Sequence, residues 1–157
     1  MQLIKNLLQN TEERELDDGE KVTRLPKRAG VIPFKKFPDG QIRMLFMVPS
    51  NPAYGGDRFQ IAKGKIDDGE NIKQAALREG KEELGLRTNN IESSTYIGVH
   101  LGMGIYVAKI KDIEHFDKPH FETGDVRWMT DAEFEADGRE LHKSLVKFAY
   151  NHFIKDE

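Results

Sequence analysis

The chain has 157 residues, of which 38% are hydrophobic and 32% charged, with a net charge of −3 and no cysteine. That length suits one domain with a real core, and the missing cysteine excludes a disulfide framework, a thiolate metal site and a cysteine nucleophile. The acidic balance and lack of a dense Lys/Arg patch argue against a double-stranded nucleic-acid partner, and no apolar run approaches the roughly 18 residues that cross a bilayer.

The first segment, MQLIKNLLQN, sets Leu3, Ile4, Leu7 and Leu8 at helical spacing. It has neither a continuous apolar h-region nor a small-residue cleavage site, so it does not read as a signal peptide, and the expected setting is cytoplasmic. TEERELDDGE follows as a solvated acidic connector. Residues 1–20 therefore form a helix and connector that either packs on the domain or mediates homodimer contacts, and 21–157 form a single domain. KRAGVIPFKKF and QIRMLFMVPS are β-rich runs around Pro38–Gly40, a hairpin signal. NPAYGGDR reads as a loop, FQIA as a short extended piece, and Asn71 to Leu84 as a helix. STYIGVHLGMGIYVAKI reads as strand broken around Gly102–Gly104, and a loop then leads into a strand ending at Trp128. TDAE from Thr130 has the capping-box form. The tail from Glu140 is helical, with Leu141, Leu145, Phe148 and Ala149 on one side. Interleaved strands and helices predict a mixed α/β or α+β domain.

The helix at 72–84 crowds its acids. On a helical wheel Glu79 and Glu83 border the apolar arc of Ala76, Leu77, Gly80 and Leu84, with Glu82 one step further round and Arg78 opposite the arc. Like charges four residues apart destabilise a helix by roughly 0.2–0.5 kcal/mol, and partial burial raises carboxylate pKa values unless a cation compensates. Oxygen-only ligands point to Mg²⁺ or Mn²⁺ rather than zinc.

The wider stretch GKIDDGENIKQAALREGKEELGL, Gly64 to Leu86, resembles the Nudix box, G-x5-E-x7-R-E-U-x-E-E-x-G-U with U aliphatic. Every fixed position matches except Gly80, where the pattern has an aliphatic residue. A second DDGE at Asp17–Glu20 lacks the downstream acids, so the spacing carries the signal and the tetrapeptide does not. Gly80 is read as allowing close approach of helix and sheet.

The resemblance implies an α/β/α sandwich with the box as loop–helix–loop, and Mg²⁺- or Mn²⁺-dependent hydrolysis of a nucleoside diphosphate linked to another group, using two or more ions. It implies Glu79, Glu82 and Glu83 as metal ligands, with the Gly64 carbonyl adding to them and Gly85 serving backbone geometry. It implies that Arg78 orients Glu70 and the ligands by ion pairing. The general base is either a box glutamate or a later loop acid; Glu122 is the loop candidate, with His120 behind it. Lys63, Lys65, Tyr54 and Phe59 are candidate substrate contacts, Phe59 standing where tryptophan is frequent and Ala62 where proline is. The KGK form is similar to hydrolases of dinucleoside polyphosphates or nucleotide-capped RNA. A proline of some ADP-ribose hydrolases is absent, Leu101 and Gly102 lying there, and Tyr106 is out of register with a tyrosine of some diadenosine polyphosphate hydrolases. Dinucleoside polyphosphates such as Ap4A come first as substrate. ADP-ribose or an ADP-sugar, NADH or FAD, and RNA 5′ ends are alternatives, and a non-catalytic Nudix-fold binding module stands last.

Overall fold

A computed structural model describes residues 26–111 and 116–157. The N-terminal helix and acidic connector expected at 1–20 lie outside the described residues.

Among the described residues, six strands and three α-helices follow in chain order: β1 Arg28–Lys36, β2 Ile42–Pro49, β3 Ala62–Lys65, α1 Ile72–Leu84, β4 Ile91–His100, β5 Met103–Ile110, β6 Thr123–Met129, α2 Asp131–Asp137 and α3 Lys143–Ala149. The strands form one mixed sheet in the order β4-β5-β1-β2-β6, with β3 added against β1. Period-two alternation splits the apolar side chains between two faces. Ile32, Phe34, Met44, Phe46, Ile105 and Val107 join Phe134, Leu145 and Phe153 under α2 and α3. Ala29, Val31, Leu45, Met47, Tyr106 and Ala108 join Ile72, Ala76 and Leu84 under α1. The result is an α/β/α sandwich, as expected.

The cleft originates in how β1 shares its edge. Its end at Phe34–Lys36 pairs antiparallel with Met44–Ile42 of β2. Its beginning at Arg28–Val31 pairs instead with Lys65–Ala62 of β3. β1 and β2 thus part company halfway, and β3 occupies the fork. Meanwhile β1 runs parallel to β5 along Arg28–Phe34, which anchors it in the middle of the sheet.

α1 begins where its signals say. The Asn71 side chain accepts from the Gln74 N–H and Gln74 returns a bond to the Asn71 N–H. It ends on Gly85 in the left-handed conformation, φ 74°, whose N–H caps the helix carbonyls. Gly80 lies against β1: a Cβ there would stand 2.9 Å from Val31 Cγ1 and 3.2 Å from Leu86 Cδ2. This matches the close-approach reading. The Thr130–Glu133 capping box also forms at the start of α2.

Several boundaries differ from expectation. The extended piece expected at 59–62 becomes a strand at 62–65, with Phe59 and Gln60 making only single bridges. The break expected at Gly102–Gly104 is a tight turn at Leu101–Gly102, both at positive φ, while Gly104 is inside β5. β6 runs one residue past Trp128. Leu77 is half-buried rather than buried. Leu141 is 57% exposed, and His142 beside it is buried instead. A 3₁₀ turn at Glu140–His142 precedes α3, and its three-residue pitch displaces Leu141 from the face that a continuous α-helix would give it.

Candidate active site

Two adjoining hollows of ≈ 440 and ≈ 640 Å³ open at the fork and share Tyr54, Lys63, Glu83 and Glu122. The larger gathers Glu79, Glu82, Glu83 and Glu122 on one side with Arg28, Lys63, Lys65 and Arg139. One cleft therefore carries four acids and four bases.

The acids come from two places. Glu79, Glu82 and Glu83 project from α1, and the carboxylate of Glu79 lies directly over Gly64 of β3, in space that any side chain at 64 would fill. Glu79 is buried, and that burial pushes its carboxyl up while Arg78 opposes the shift. Glu83 Oε1 accepts from the Lys63 N–H at 3.0 Å. Its carboxyl is raised to about 7, first by burial, against the pull of that N–H and with the charge of Glu79 adding to the rise. Glu82 is the more exposed of the three.

Arg78 ties them to the preceding loop. Its guanidinium grips Glu70 with two bonds, Nε–Oε2 at 2.8 Å and NH2–Oε1 at 3.0 Å. NH2 also donates to the Lys65 carbonyl at 2.8 Å. NH1 reaches Glu79 Oε1 at 2.9 Å and Glu82 Oε2 at 3.3 Å. The guanidinium is held well above its ordinary pKa, chiefly by Glu70, and Glu70 is held below its own chiefly by Arg78. The wheel placed Arg78 on the far side of the helix; its long stem instead curls back over the loop.

Glu122 arrives from the segment before β6, and backbone bonds fix that segment on both sides. Its carbonyl accepts from Ser50 N–H at 2.8 Å and Ser50 Oγ at 3.1 Å. The His120 N–H bonds the Glu82 carbonyl, and Thr123 Oγ1 donates to the Glu83 carbonyl at 2.8 Å. Carbonyls that α1 would leave unpaired at its C-terminus thus receive the segment carrying Glu122. His120 itself is exposed and stacks on Phe121.

Of the expected substrate contacts, Lys63, Lys65 and Tyr54 line the cleft. Phe59 does not. Its ring packs against the core beneath α2 and α3, and its backbone bridges Gly138, which draws it away from the opening. Sequence reading missed Gln60, Arg28 and Arg139 in the cleft, and Phe121, which is 78% exposed and lines the smaller hollow together with Tyr54 at 79%. A polar residue in the FQIA run was the only available hint for Gln60; Arg139 lies far off in sequence and carried no signal.

Among the described residues no three acids or histidines stand ready-made as a metal cage. In this arrangement the Arg78 guanidinium takes up oxygens of Glu79 and Glu82, and the Lys63 N–H one oxygen of Glu83. The donor chemistry nevertheless fits a hard divalent cation. Three carboxylates border one opening, a glycine backbone sits beneath Glu79 with no side chain between, and the ligand atoms are all oxygen.

A sandwich whose forked sheet presents a glutamate-bearing helix to a cleft of mixed charge defines a class of hydrolase fold. The NUDIX domain model matches residues 25–148, most of the chain, and the chain belongs to that family of hydrolases. Solved structures share the fold. An Ap4A hydrolase from C. elegans, in a binary complex, superposes with TM-score 0.66 at 21% identity, covering 83% of this chain and 100% of that one. The Nudix hydrolase RenU from M. smegmatis gives 0.66 at 16% identity, over 82% and 88% of the two chains. The NUDIX domain of NrtR from Shewanella oneidensis, complexed with ADP ribose, gives 0.59 at 18% identity, over 79% and 85%.

Proposed function

We propose that this chain hydrolyses a pyrophosphate linkage in a nucleoside diphosphate derivative, and that its substrates are dinucleoside polyphosphates such as Ap4A. The observation that carries this reading is the placing of Glu79, Glu82 and Glu83 around Gly64 at the mouth of the fork. Arg78 offsets Glu79 and Glu82 from the loop side, but Glu83 is desolvated beside them with no salt bridge among the described residues, and a phosphate anhydride is the ligand that brings cations with it.

On this reading Glu79, Glu82, Glu83 and the Gly64 carbonyl hold Mg²⁺ or Mn²⁺. Bound there, the ions supply neutralisation of phosphate oxygens and acidification of a water for in-line attack at phosphorus. Arg78 does not touch substrate; it sets the register of Glu79 and Glu82 from the loop side while Glu70 fixes its own orientation. Glu83 is the residue best suited to take the water proton. Its Oε1 accepts from the Lys63 N–H, which fixes the carboxylate at the cleft, where it would take the proton of an adjacent water when it is not itself engaged by an ion. Glu122 lines the same cleft from the opposite segment and is the alternative base. Lys63 and Lys65 meet phosphate, and Tyr54 stacks on a base.

The test is a phosphate-release panel of Ap4A, ADP-ribose, FAD, NADH, dNTPs and 5′-triphosphate RNA, with Mg²⁺ and with EDTA. Turnover of Ap4A above the others, abolished by EDTA, is the expected result. No turnover of any nucleotide would leave a binding module instead.

A further inference from the structure

Next to Glu83 in the cleft, two cations converge on one neutral oxygen. Lys63 Nζ donates to Gln60 Oε1 at 3.2 Å, and Arg139 NH1 donates to the same atom at 3.1 Å. Their nitrogens therefore lie no further apart than those two distances together. Gln60 is buried, and its Nε2 donates to the Gly55 carbonyl at 3.0 Å, so its amide is oriented with oxygen toward the cations. Arg139 is equally well placed, since its N–H bonds the Phe59 carbonyl at 2.8 Å next to the Gly138–Phe59 bridge. Arg28 lines the same wall. Among the described residues neither Lys63, Arg139 nor Arg28 closes a salt bridge to a carboxylate.

Bringing two positive charges together on a neutral acceptor is unfavourable alone. The backbone and Gln60 hold the arrangement in place, and an anion set between the two nitrogens would neutralise it. A phosphate group fits that description, taking Arg through two oxygens and Lys through one. Glu83 lies beside Lys63 and offsets part of its charge, while Arg78 engages Glu79 and Glu82, so one carboxylate faces the two cations of the pair and Arg139 closes no salt bridge among the described residues.

We propose that Lys63 and Arg139, aligned by Gln60 and with Arg28 beside them, form a second phosphate seat that selects substrates with three or more consecutive phosphates. This deepens the functional reading above and rests on it for the identity of the reaction, though not for the binding. The carboxylates with their cations take the phosphates at the scissile bond, and the Gln60 seat takes those further along the chain. A diphosphate-linked substrate has no phosphate beyond the scissile pair to place in the second seat.

Binding is tested apart from turnover in the unaltered chain with Ca²⁺ in place of Mg²⁺, so that the carboxylates keep a cation, by calorimetric titration of inorganic tripolyphosphate and pyrophosphate. Tripolyphosphate should bind at least tenfold more tightly than pyrophosphate, and adding Arg139→Gln should erase the preference. Arg139→Lys, which keeps the charge, should restore it in part. Absence of the preference, or its survival in both Arg139→Gln and Lys63→Met, overturns the proposal. For turnover, Arg139→Gln in the otherwise unaltered chain should lower the ratio of kcat/KM for Ap4A over ADP-ribose at least tenfold, through KM rather than kcat. An unchanged ratio overturns it as well. If no nucleotide is hydrolysed, the functional reading fails while the calorimetric arm still decides this one.

Discussion

At the residue scale the site depends on a few charged side chains whose neighbours decide what they do. Glu83→Gln keeps the shape and the Lys63 N–H bond but removes the carboxylate proposed as proton acceptor. Turnover should fall by roughly 10²–10⁴-fold, the range of a lost general base, while the melting temperature holds or rises because a desolvated carboxyl is gone; an equally active variant refutes the assignment. Arg78→Lys is not conservative here. A lysine cannot reproduce the two-bond grip on Glu70 together with the bonds to Lys65 carbonyl and Glu79. Loss of charge-assisted bonds of this kind costs about 1.5–3 kcal/mol each, so denaturant unfolding should show a lower midpoint and activity should fall with it. The box residues were legible in the sequence because they sit within one loop and helix, at fixed spacing. Gln60 and Arg139 were not, because their meeting depends on a backbone bridge between Phe59 and Gly138 that no local pattern announces.

At the scale of elements, what matters is the contact between α1 and β1. Gly80 stands where the family pattern has an aliphatic residue, and the space beside it is filled by Val31 and Leu86. Gly80→Leu should therefore destabilise the fold by about 1–3 kcal/mol through overpacking, despite a better helix propensity. Thermal or denaturant unfolding checks this, and a stabilised variant would show that the helix can back away from the sheet. One helix cap and the hairpin were readable because capping and turn chemistry is local: Thr130 with Glu133 formed as its sequence suggested, whereas the Asn71–Gln74 box that starts α1 was not singled out from the sequence. The tail was misread at Leu141 because a 3₁₀ turn, set by packing of His142 into the core, interrupts the α-helical period.

At the scale of the molecule, acid sensitivity has an identifiable internal source. His142 is buried, its Nδ1 accepts from the Ile61 N–H at 3.2 Å, and burial, then Lys63 and Arg139, depress its pKa to about 3. Above an unfolded-state value near 6.5 both states are neutral at this ring, and it adds no pH dependence. Below that, the unfolded chain binds a proton that the folded chain refuses, so stability falls by up to about 1.4 kcal/mol per pH unit until the folded pKa is reached. The difference in unfolding free energy between the native chain and His142→Gln should shrink across that window and be flat above it; no slope there would mean the ring is solvated. The sandwich was foreseeable from interleaved strands and helices, whereas the fork was not, since period-two alternation tells which face a side chain takes but not which partner strand its backbone chooses. That fork has a consequence for how such a protein changes over time. Gly30, pressed between Lys63 of β3 and Ile105 of β5, admits no methyl group without displacing the Ala62 carbonyl 2.8 Å away. The mouth is thus defined by main-chain pairing, and the groups hung around its rim can be exchanged for others of different reach or sign without dismantling the frame. New appetites are then a matter of redecorating the doorway, whereas a substitution at Gly30 would shift the doorposts.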